Sequence, residues 1–296
     1  MIGGQGKNRS SMVMMVVAGP ASQLLATRVA SLLKCGVDLT EYKEFPDGEV
    51  YCRVTGDIKN KDVVLIQSTF HTSDFIYLLE LIDACDEAKS LTVVVPYFGY
   101  ARQDKRFKPG EPVTARALAK CINADRIFTI NIHDRSILKY FPCPAVDLNA
   151  APELGNYIDG MELRETTILA PDDGALNLVR SAAEPRRLHY DYLEKTRLSG
   201  EEVSIAPKNL DVRGRDVVLM DDIISTGGTI AEAIKLLKAQ GVRDVYVACV
   251  HPVFARNAYL KLYDAGVKEV IATDTLEKAM SKVSVAPVIA DAIKSK

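Results

Sequence analysis

Chemistry concentrates most densely in Val217-Val-Leu-Met-Asp-Asp-Ile-Ile-Ser-Thr-Gly-Gly-Thr229. An apolar run ends in two successive carboxylates, Asp221 and Asp222. A turn follows, Ser225-Thr226-Gly227-Gly228-Thr229, and it opens a helical pattern. The two glycines let the backbone aim its N–H groups at one point, and the helix N-terminus adds positive potential. Thr226 and Thr229 add hydroxyl donors. Such a turn cradles a monoester phosphate, and carboxylates one step away accept hydrogen bonds from the hydroxyls of an attached sugar. The bland alternative is a tight turn with an acidic strand end and a threonine N-cap. The full string is much more specific than a bare Gly-Gly turn. Neither G-x-x-x-x-G-K-[ST] nor G-x-G-x-x-G occurs, so a Walker ATPase or a Rossmann dinucleotide enzyme is not indicated.

Four other segments carry reactive types. Arg102, Gln103, Lys105, Arg106 and Lys108 follow the strand-like Leu91–Val95 at its C-terminal end, where α/β sheets present ligands. Arg102 with Gln103 offers a planar donor fork and an amide, suited to a polyphosphate or an adenine edge. Thr129-Ile-Asn-Ile-His-Asp134 ends another apolar strand with His133; a lone histidine is usually structural. Ala170-Pro-Asp-Asp-Gly174 sets Asp172 and Asp173 in what also reads as a good β-turn. Lys195 and Arg197, in Asp191-Tyr-Leu-Glu-Lys-Thr-Arg-Leu198, share one side of an extended segment that runs into an exposed loop.

The elements that must position these groups alternate regularly. Strands are expected at Met12–Ala18, Val63–Gln67, Leu91–Val95, Ile127–Ile132, Thr166–Leu169, Val217–Met220, Val245–Val250 and Glu269–Ala272. Amphipathic helices are expected at Ser22–Leu33, Asp74–Ala88, Ala115–Ile122, Ala175–Ala183, Thr229–Ala239 and Ala255–Tyr263. Continuous apolar strands between helices argue for parallel sheets covered on both faces. Asp62-Val-Val-Leu-Ile66 recurs as Asp216-Val-Val-Leu-Met220, and each copy leads into a turn, a helix and a Val-rich strand. That order predicts two α/β domains of one fold in tandem. The joint is expected near Pro142–Pro152, giving domains 12–148 and 149–296 behind a disordered leader at 1–11. A last helix at 283–293 is expected to pack back on the first domain. The copies differ at the strand end: Gln67-Ser-Thr in the first, Asp221-Asp222 in the second.

Composition sets the outer limits. Lys and Arg number 37 against 39 Asp and Glu, a net charge of −2, so there is no electrostatic footprint for nucleic acid or an anionic membrane. With 48% hydrophobic and 26% charged residues the chain is globular, not disordered. No apolar run approaches the ~20 residues that span a bilayer. Six scattered cysteines, with no C-x-x-C pair, read as buried thiols of a reducing compartment. Lys7 and Arg9 ahead of Met12–Ala18 faintly resemble a signal peptide, but the apolar run is too short and a first buried strand is expected instead. The expected location is cytoplasmic.

The 217–229 string resembles the phosphoribosyl-pyrophosphate (PRPP) motif shared by type I phosphoribosyltransferases and PRPP synthetases. The first domain separates them. Pro96-Tyr-Phe-Gly-Tyr-Ala-Arg-Gln-Asp-Lys-Arg-Phe-Lys-Pro-Gly-Glu-Pro-Val-Thr-Ala115 closely resembles the nucleotide-binding signature of the synthetases, as does Phe45-Pro-Asp-Gly-Glu49. The resemblance runs from about residue 13 to the C-terminus and is strongest to the shorter archaeal-type ribose-phosphate diphosphokinases. It implies two tandem phosphoribosyltransferase-like (type I) domains, each a mainly parallel sheet flanked by helices.

By that resemblance Arg102 and Gln103 bind ATP, and Phe45, Asp47, Gly48 and Glu49 reach the adenine held by a neighbouring subunit. A homo-oligomer with shared ATP sites follows. Ribose 5-phosphate is assigned to Arg197, Asp221, Asp222 and Ser225, Thr226, Gly227, Gly228 and Thr229. Magnesium is assigned to His133 and Asp172. Lys195, Arg197 and Arg102 are the implied catalytic clamps. One departure stands out: the family pattern has Asp two residues before the metal histidine, whereas this chain has Asn131. The activity implied is transfer of a diphosphoryl group from Mg-ATP to O1 of ribose 5-phosphate, giving PRPP and AMP. The rivals are a phosphoribosyltransferase that consumes PRPP, a non-catalytic regulatory homologue, and a nucleotide-binding module without turnover.

Overall fold

The computed structural model describes residues 14–197, 203–207 and 211–295, with 195–197 and 203–207 described by their backbone alone. The leader at 1–11 lies outside the described residues. The chain divides into two compact units. One takes the residues up to Thr129, Ser136–Val146 and the chain from Ile289 on; the other takes Ile130–Arg135 and Asp147–Val288.

Strands of the first unit are rich in Val and Ile, whose branched side chains pack well on a pleated surface. In chain order it contains β1 (Met14–Ala18), α1 (Gln23–Leu33), β2 (Gly36–Asp38), the hairpin β3 (Glu41–Glu44) and β4 (Val50–Arg53), then β5 (Asp62–Ile66) and α2 (Thr72–Asp83). It continues with β6 (Ser90–Val95), α3 (Thr114–Ala119), β7 (Arg126–Ile130) and β8 (Ala145–Leu148). Six strands form one sheet in the order β2-β1-β5-β6-β7-β8. The pairs from β2 through β7 are parallel. Val16, Val17, Leu65, Ile66, Val93, Val94 and Val95 are completely buried, as strands covered on both faces require.

The second unit contains α4 (Ala151–Asp159), β9 (Thr167–Ala170), α5 (Leu176–Ala183), β10 (His189–Arg197), β11 (Val203–Pro207), β12 (Asp216–Ile223) and α6 (Gly228–Ala239). Then come β13 (Asp244–His251), α7 (Ala258–Asp264), β14 (Glu269–Thr273), β15 (Ser281–Val283) and α8 (Ala286–Lys294), which runs across the division between the units. Its sheet runs β11-β10-β9-β12-β13-β14-β15, parallel except for the antiparallel β10–β11 pair. All eight expected strands and six expected helices are present, with ends shifted by a few residues. Two expectations need correction. Val283 closes a short edge strand, and the last helix starts at Ala286, with a proline in its first turn. The thiols are all free, but only Cys85 and Cys249 are buried, and Cys121 is exposed.

Once the β3–β4 hairpin and the antiparallel edge strand β11 are set aside, the two sheets share one order. In each, the first strand lies between the second and the third, so the connections leave β1/β5 and β9/β12 in opposite directions. Such a switch point leaves a crevice beyond the C-terminal ends of the strands, where open α/β sheets bind ligands.

The repeated aspartates that start β5 and β12 are held unequally. Asp216 is fully buried; it accepts from the Arg164 backbone N–H at 2.7 Å and from Arg243 Nε at 2.7 Å. Asp62 accepts from Ser90 Oγ at 2.7 Å and pairs more loosely with exposed Lys89 at 3.5 Å. Removing a buried, hydrogen-bonded carboxylate strands its donors. Asp216→Ala is therefore expected to lower unfolding free energy by about 3 kcal/mol, and Asp62→Ala by clearly less, as read by urea denaturation of the two variants.

Candidate active site

The crevice of the second unit gathers the acidic groups. β12 continues through Asp221 and Asp222 to Ile223 while still paired with β13, Asp221 opposite Cys249 and Ile223 opposite His251. Each carboxylate accepts from the next residue's backbone N–H: Asp221 Oδ1 from Asp222 at 2.8 Å, Asp222 Oδ1 from Ile223 at 2.7 Å. Across the switch point, Asp172 follows β9. Its Oδ1 accepts from the Gly174 N–H at 3.0 Å, capping a single 3-10 turn. His133, brought in by the 130–135 segment, sets its Nδ1 2.8 Å from Asp222 Oδ2.

Electrostatics separates the two adjacent acids. Burial, then the neighbouring Asp222 charge, with Asp172 adding to it, pushes the Asp221 carboxyl up to about 7. Burial also works to raise Asp222. There the hydrogen bond and charge of His133 outweigh it and hold Asp222 below the usual carboxylate range. The two titrate as one interacting pair, in which Asp222 keeps its charge to lower pH and Asp221 keeps its proton to higher pH.

Beyond Ile224 the chain makes the expected glycine turn into α6. Gly227 sits at φ 70° as the N-cap of α6, and no side chain caps that helix. A Cβ at Gly227 would also come 3.2 Å from the Ala258 carbonyl oxygen, so both conformation and space call for glycine. Gly228 has open space around it, leaving the helix N-terminus accessible to an anion. The cradle rests on the segment after β13. Phe254 N–H donates to Ile224 O at 2.9 Å, Ala255 N–H to Ser225 O at 3.0 Å, and Lys261 Nζ to Thr226 O at 3.3 Å.

In the first unit the corresponding crevice is filled. Gln67 is fully buried; its Oε1 accepts from Ala21 N–H and its Nε2 donates to Asp74 O. Ser68 and Thr69 bind the start of the basic segment: Tyr97 N–H donates to Ser68 Oγ at 3.1 Å, and Gly99 N–H to Thr69 Oγ1 at 2.9 Å. Arg102 and Gln103 follow on an exposed turn. Gln103 Oε1 accepts from Thr114 Oγ1 at 2.6 Å, which fixes the amide and points its NH₂ end away from that bond. Phe45 and Glu49 close the hairpin turn through Phe45 N–H to Glu49 O at 2.7 Å, and Glu49 N–H donates to Asp47 Oδ1 at 3.2 Å. Gly48 and Glu49 also border a pocket of about 550 Å³ against Thr72, Ser73, Ile76 and Glu80 of α2.

Each half of the chain also matches a family model. The N-terminal domain of ribose phosphate pyrophosphokinase matches residues 14–125, and the phosphoribosyl transferase domain matches residues 150–287. The chain belongs to the ribose-phosphate pyrophosphokinase family. A ribose-phosphate pyrophosphokinase of Methanosarcina acetivorans is 59% identical over 281 residues, 95% of this chain and 99% of that one. Ribose-phosphate pyrophosphokinase 2 of Archaeoglobus fulgidus is 43% identical over 282 residues, 95% and 100% of the two chains. The crystal structure of phosphoribosylpyrophosphate synthetase from Mycobacterium smegmatis is similar with a TM-score of 0.82 at 30% identity, covering 95% of this chain and 98% of that one.

For a ribose-phosphate pyrophosphokinase, the structure brings His133, Asp172, Asp221, Asp222 and Ser225–Thr229 into one unit. It carries Phe45, Asp47, Gly48, Glu49, Arg102 and Gln103 on the other. The backbone of Lys195 and Arg197 lies in β10, opposite Ile205 and Val203 of β11, in the extended conformation expected, and the loop expected after them lies outside the described residues. The side chains of both lie outside the described residues.

Asn131 has a structural account. It sits at φ 40°, which asparagine tolerates better than most residues. Its Nδ2 donates to Asn149 Oδ1 at 3.0 Å while its Oδ1 accepts from Ala150 N–H at 2.7 Å. A carboxylate could not supply the first of those bonds. Sequence reasoning passed over His251, which is 2% exposed at the end of β13. The only signal was a histidine closing an otherwise apolar strand.

Burial lowers the His251 pKa to about 4, against a small opposing pull from Asp222. An ordinary unfolded histidine titrates near 6.5. Between those values the unfolded chain binds the extra proton, so this contribution to stability is present above pH ~6.5 and is lost as pH falls toward 4. Asp221, raised in the fold, slopes the opposite way. The His251 part is isolated by His251→Gln: from pH 7 to pH 5 the wild type is expected to lose about 2 kcal/mol relative to the variant in urea denaturation.

Proposed function

We propose that this chain transfers the diphosphoryl group of ATP to O1 of ribose 5-phosphate, producing PRPP and AMP. The observation that carries the reading is the acidic strand end running straight into an uncapped, glycine-opened helix, a pairing that suits a sugar phosphate and little else. Ser225, Thr226, Gly227, Gly228 and Thr229 hold the 5-phosphate. Asp222, charged, accepts from a ring hydroxyl, while Asp221, its carboxyl raised to about 7, donates when protonated and accepts when ionised. Arg102 and Gln103 bind ATP, and Gln103 presents its amide NH₂ group to it. O1 attacks the β-phosphorus as the bond to the α,β-bridging oxygen breaks, and that oxygen leaves with AMP. Little covalent work falls to the protein; positioning and charge neutralisation supply the acceleration.

A divalent cation, magnesium in this reading, fits the donor set. The upward push on Asp221 from burial, Asp222 and Asp172 marks surplus negative charge in the crevice. Among the described residues no group of three or more ligating side chains is placed to grip a metal on its own. That suits magnesium, which keeps water and substrate phosphates in its shell and takes one or two carboxylates from the protein. His133 and Asp172 would hold it. When bound, it neutralises phosphate charge during transfer. His133 is itself held by Asp222, which fixes the ring orientation.

The hairpin supports the shared-site reading. Leu39, Tyr42, Phe45 and Tyr51 cluster on or beside it and are 81%, 48%, 39% and 40% exposed. Phe45 offers a ring for an adenine, with Lys43 Nζ 4.5 Å from the ring centroid. Phe45, Asp47, Gly48 and Glu49 then serve the nucleotide of a neighbouring subunit, making the active form a homo-oligomer. No helix among the described residues is long and apolar enough to cross a membrane, in keeping with a cytoplasmic enzyme.

Incubation with ribose 5-phosphate, ATP and Mg²⁺ is expected to yield equimolar AMP and PRPP, and neither without the sugar. ADP in place of AMP would identify a single-phosphate kinase. PRPP consumption with a base, without any need for ATP, would identify a phosphoribosyltransferase. In the same assay Lys195→Ala is expected to lower kcat by about 10²–10³-fold, the size of one preorganised charge. Near-normal turnover would remove Lys195 from the clamp.

A further inference from the structure

His251 lies between the acid cluster and the phosphate cradle and is bonded toward both. Its backbone carbonyl accepts from Ile224 N–H at 3.3 Å, the residue just before the cradle. Its ring Nε2 lies 3.2 Å from the Asn131 carbonyl oxygen, two residues ahead of His133. Its Nδ1 lies 2.9 Å from Thr275 Oγ1, a buried hydroxyl after β14. A carbonyl only accepts, so Nε2 carries the proton and Nδ1 is left as the acceptor. Burial keeps that ring neutral at physiological pH.

The 131–133 segment is tied to β8 and the turn after it, beginning with Asn131 N–H donating to Leu148 O at 2.9 Å. The Asn131 carboxamide ties it to Asn149 and Ala150, and Ile132 N–H donates to Asp147 Oδ1 at 2.8 Å. These hold the segment from its β8 side. His251 reaches it from β13, the strand paired with β12, which carries Asp222. The segment that carries His133 is thus held from β8 on one side and from β13 on the other.

We infer that His251 is a positioning residue: it fixes the carbonyl of Asn131 so that His133 meets Asp222, and it thereby sets the acid cluster in register with the cradle. The kinetic part of this inference rests on the proposed diphosphoryl transfer. His251→Leu removes the Nε2 donor but keeps bulk, and His251→Gln restores a donor at nearly the same reach. Loss of an outer hydrogen bond to such a site typically costs about 10–100-fold.

The expected result is a kcat about 10–100-fold lower in His251→Leu and largely recovered in His251→Gln. The KM for ribose 5-phosphate should stay within about 2-fold, because the Ile224 N–H bond is to the backbone. A purely structural histidine would lower Tm but leave the kcat of the folded fraction unchanged, and that outcome overturns the inference. Equal loss in Leu and Gln variants would overturn it too. Should His251→Leu fail to fold, Thr275→Val removes the Nδ1 partner, along with that hydroxyl's bonds to Thr273 and Val250, and is expected to shift kcat in the same direction by less. A second readout needs no turnover: in ¹⁵N-histidine-labelled protein without substrates, the His133 ring signals should move in the Leu variant and return in the Gln variant. Unmoved signals would sink the positioning role. A wild type that makes no PRPP would sink only the reaction.

Discussion

Two successive carboxylates at the end of a buried strand are the constraint around which the second unit is arranged. A strand alternates its side chains, so Asp221 and Asp222 leave on opposite faces, yet both are largely withdrawn from water. Burial alone would protonate both. The fold resolves the conflict asymmetrically, delivering an imidazole to Asp222 and leaving Asp221 with its successor's backbone N–H. The short excursion of 130–135 into the second unit is what delivers that imidazole. Asn131, bent into a left-handed conformation and bonded at both ends of its carboxamide, is what turns the chain there.

The same sheet order appears twice, and the contrast between the copies shows which parts of the site are not given by the fold. At the β9/β12 switch point the crevice is lined with acids and opens onto a helix N-terminus. At β1/β5 the same place is filled by Gln67, and Ser68 and Thr69 spend their hydroxyls on Tyr97 and Gly99. One copy thus keeps its ligand crevice. The other converts it into a foundation for the basic segment that follows β6. A Cβ at Gly99 would come 2.0 Å from the Thr69 carbonyl oxygen, so that foundation is a close backbone contact and not a loose one.

The legible and illegible parts of this chain divide along a physical line. Continuous Val- and Ile-rich runs and the 62–66/216–220 echo revealed both sheets, because burial on two faces leaves an unambiguous apolar signature. The cradle was legible because glycine, threonine and aspartate act there through local backbone geometry. Short edge strands such as β2, β8 and β15 were not, since three or four residues carry no period, and their pairing depends on neighbours distant in sequence. The His133–Asp222 and His251–Asn131 contacts span 89 and 120 residues and leave no mark on local pattern. The exposure of Cys121 shows the converse: an apolar type at a helix end need not be buried if the helix is short.

Charge supplies the last step. On the proposed reading, a crevice that holds Asp172, Asp221 and Asp222 beside an open helix N-terminus repels the sugar phosphate it has to bind. The uncapped helix end contributes only partial charges, equivalent to about half an elementary charge. His133 is already committed to Asp222, and a proton on Asp221 removes one negative charge at most. Within the crevice the acids therefore still outweigh the donors, and two polyanionic substrates make the imbalance larger. On the proposed reading the balance comes with the substrates, from a divalent cation carried on phosphate. A site that is electrostatically incomplete until both substrates and their counter-charges are present does little to an isolated nucleotide. For the proposed transfer, that property would favour the sugar over water as acceptor.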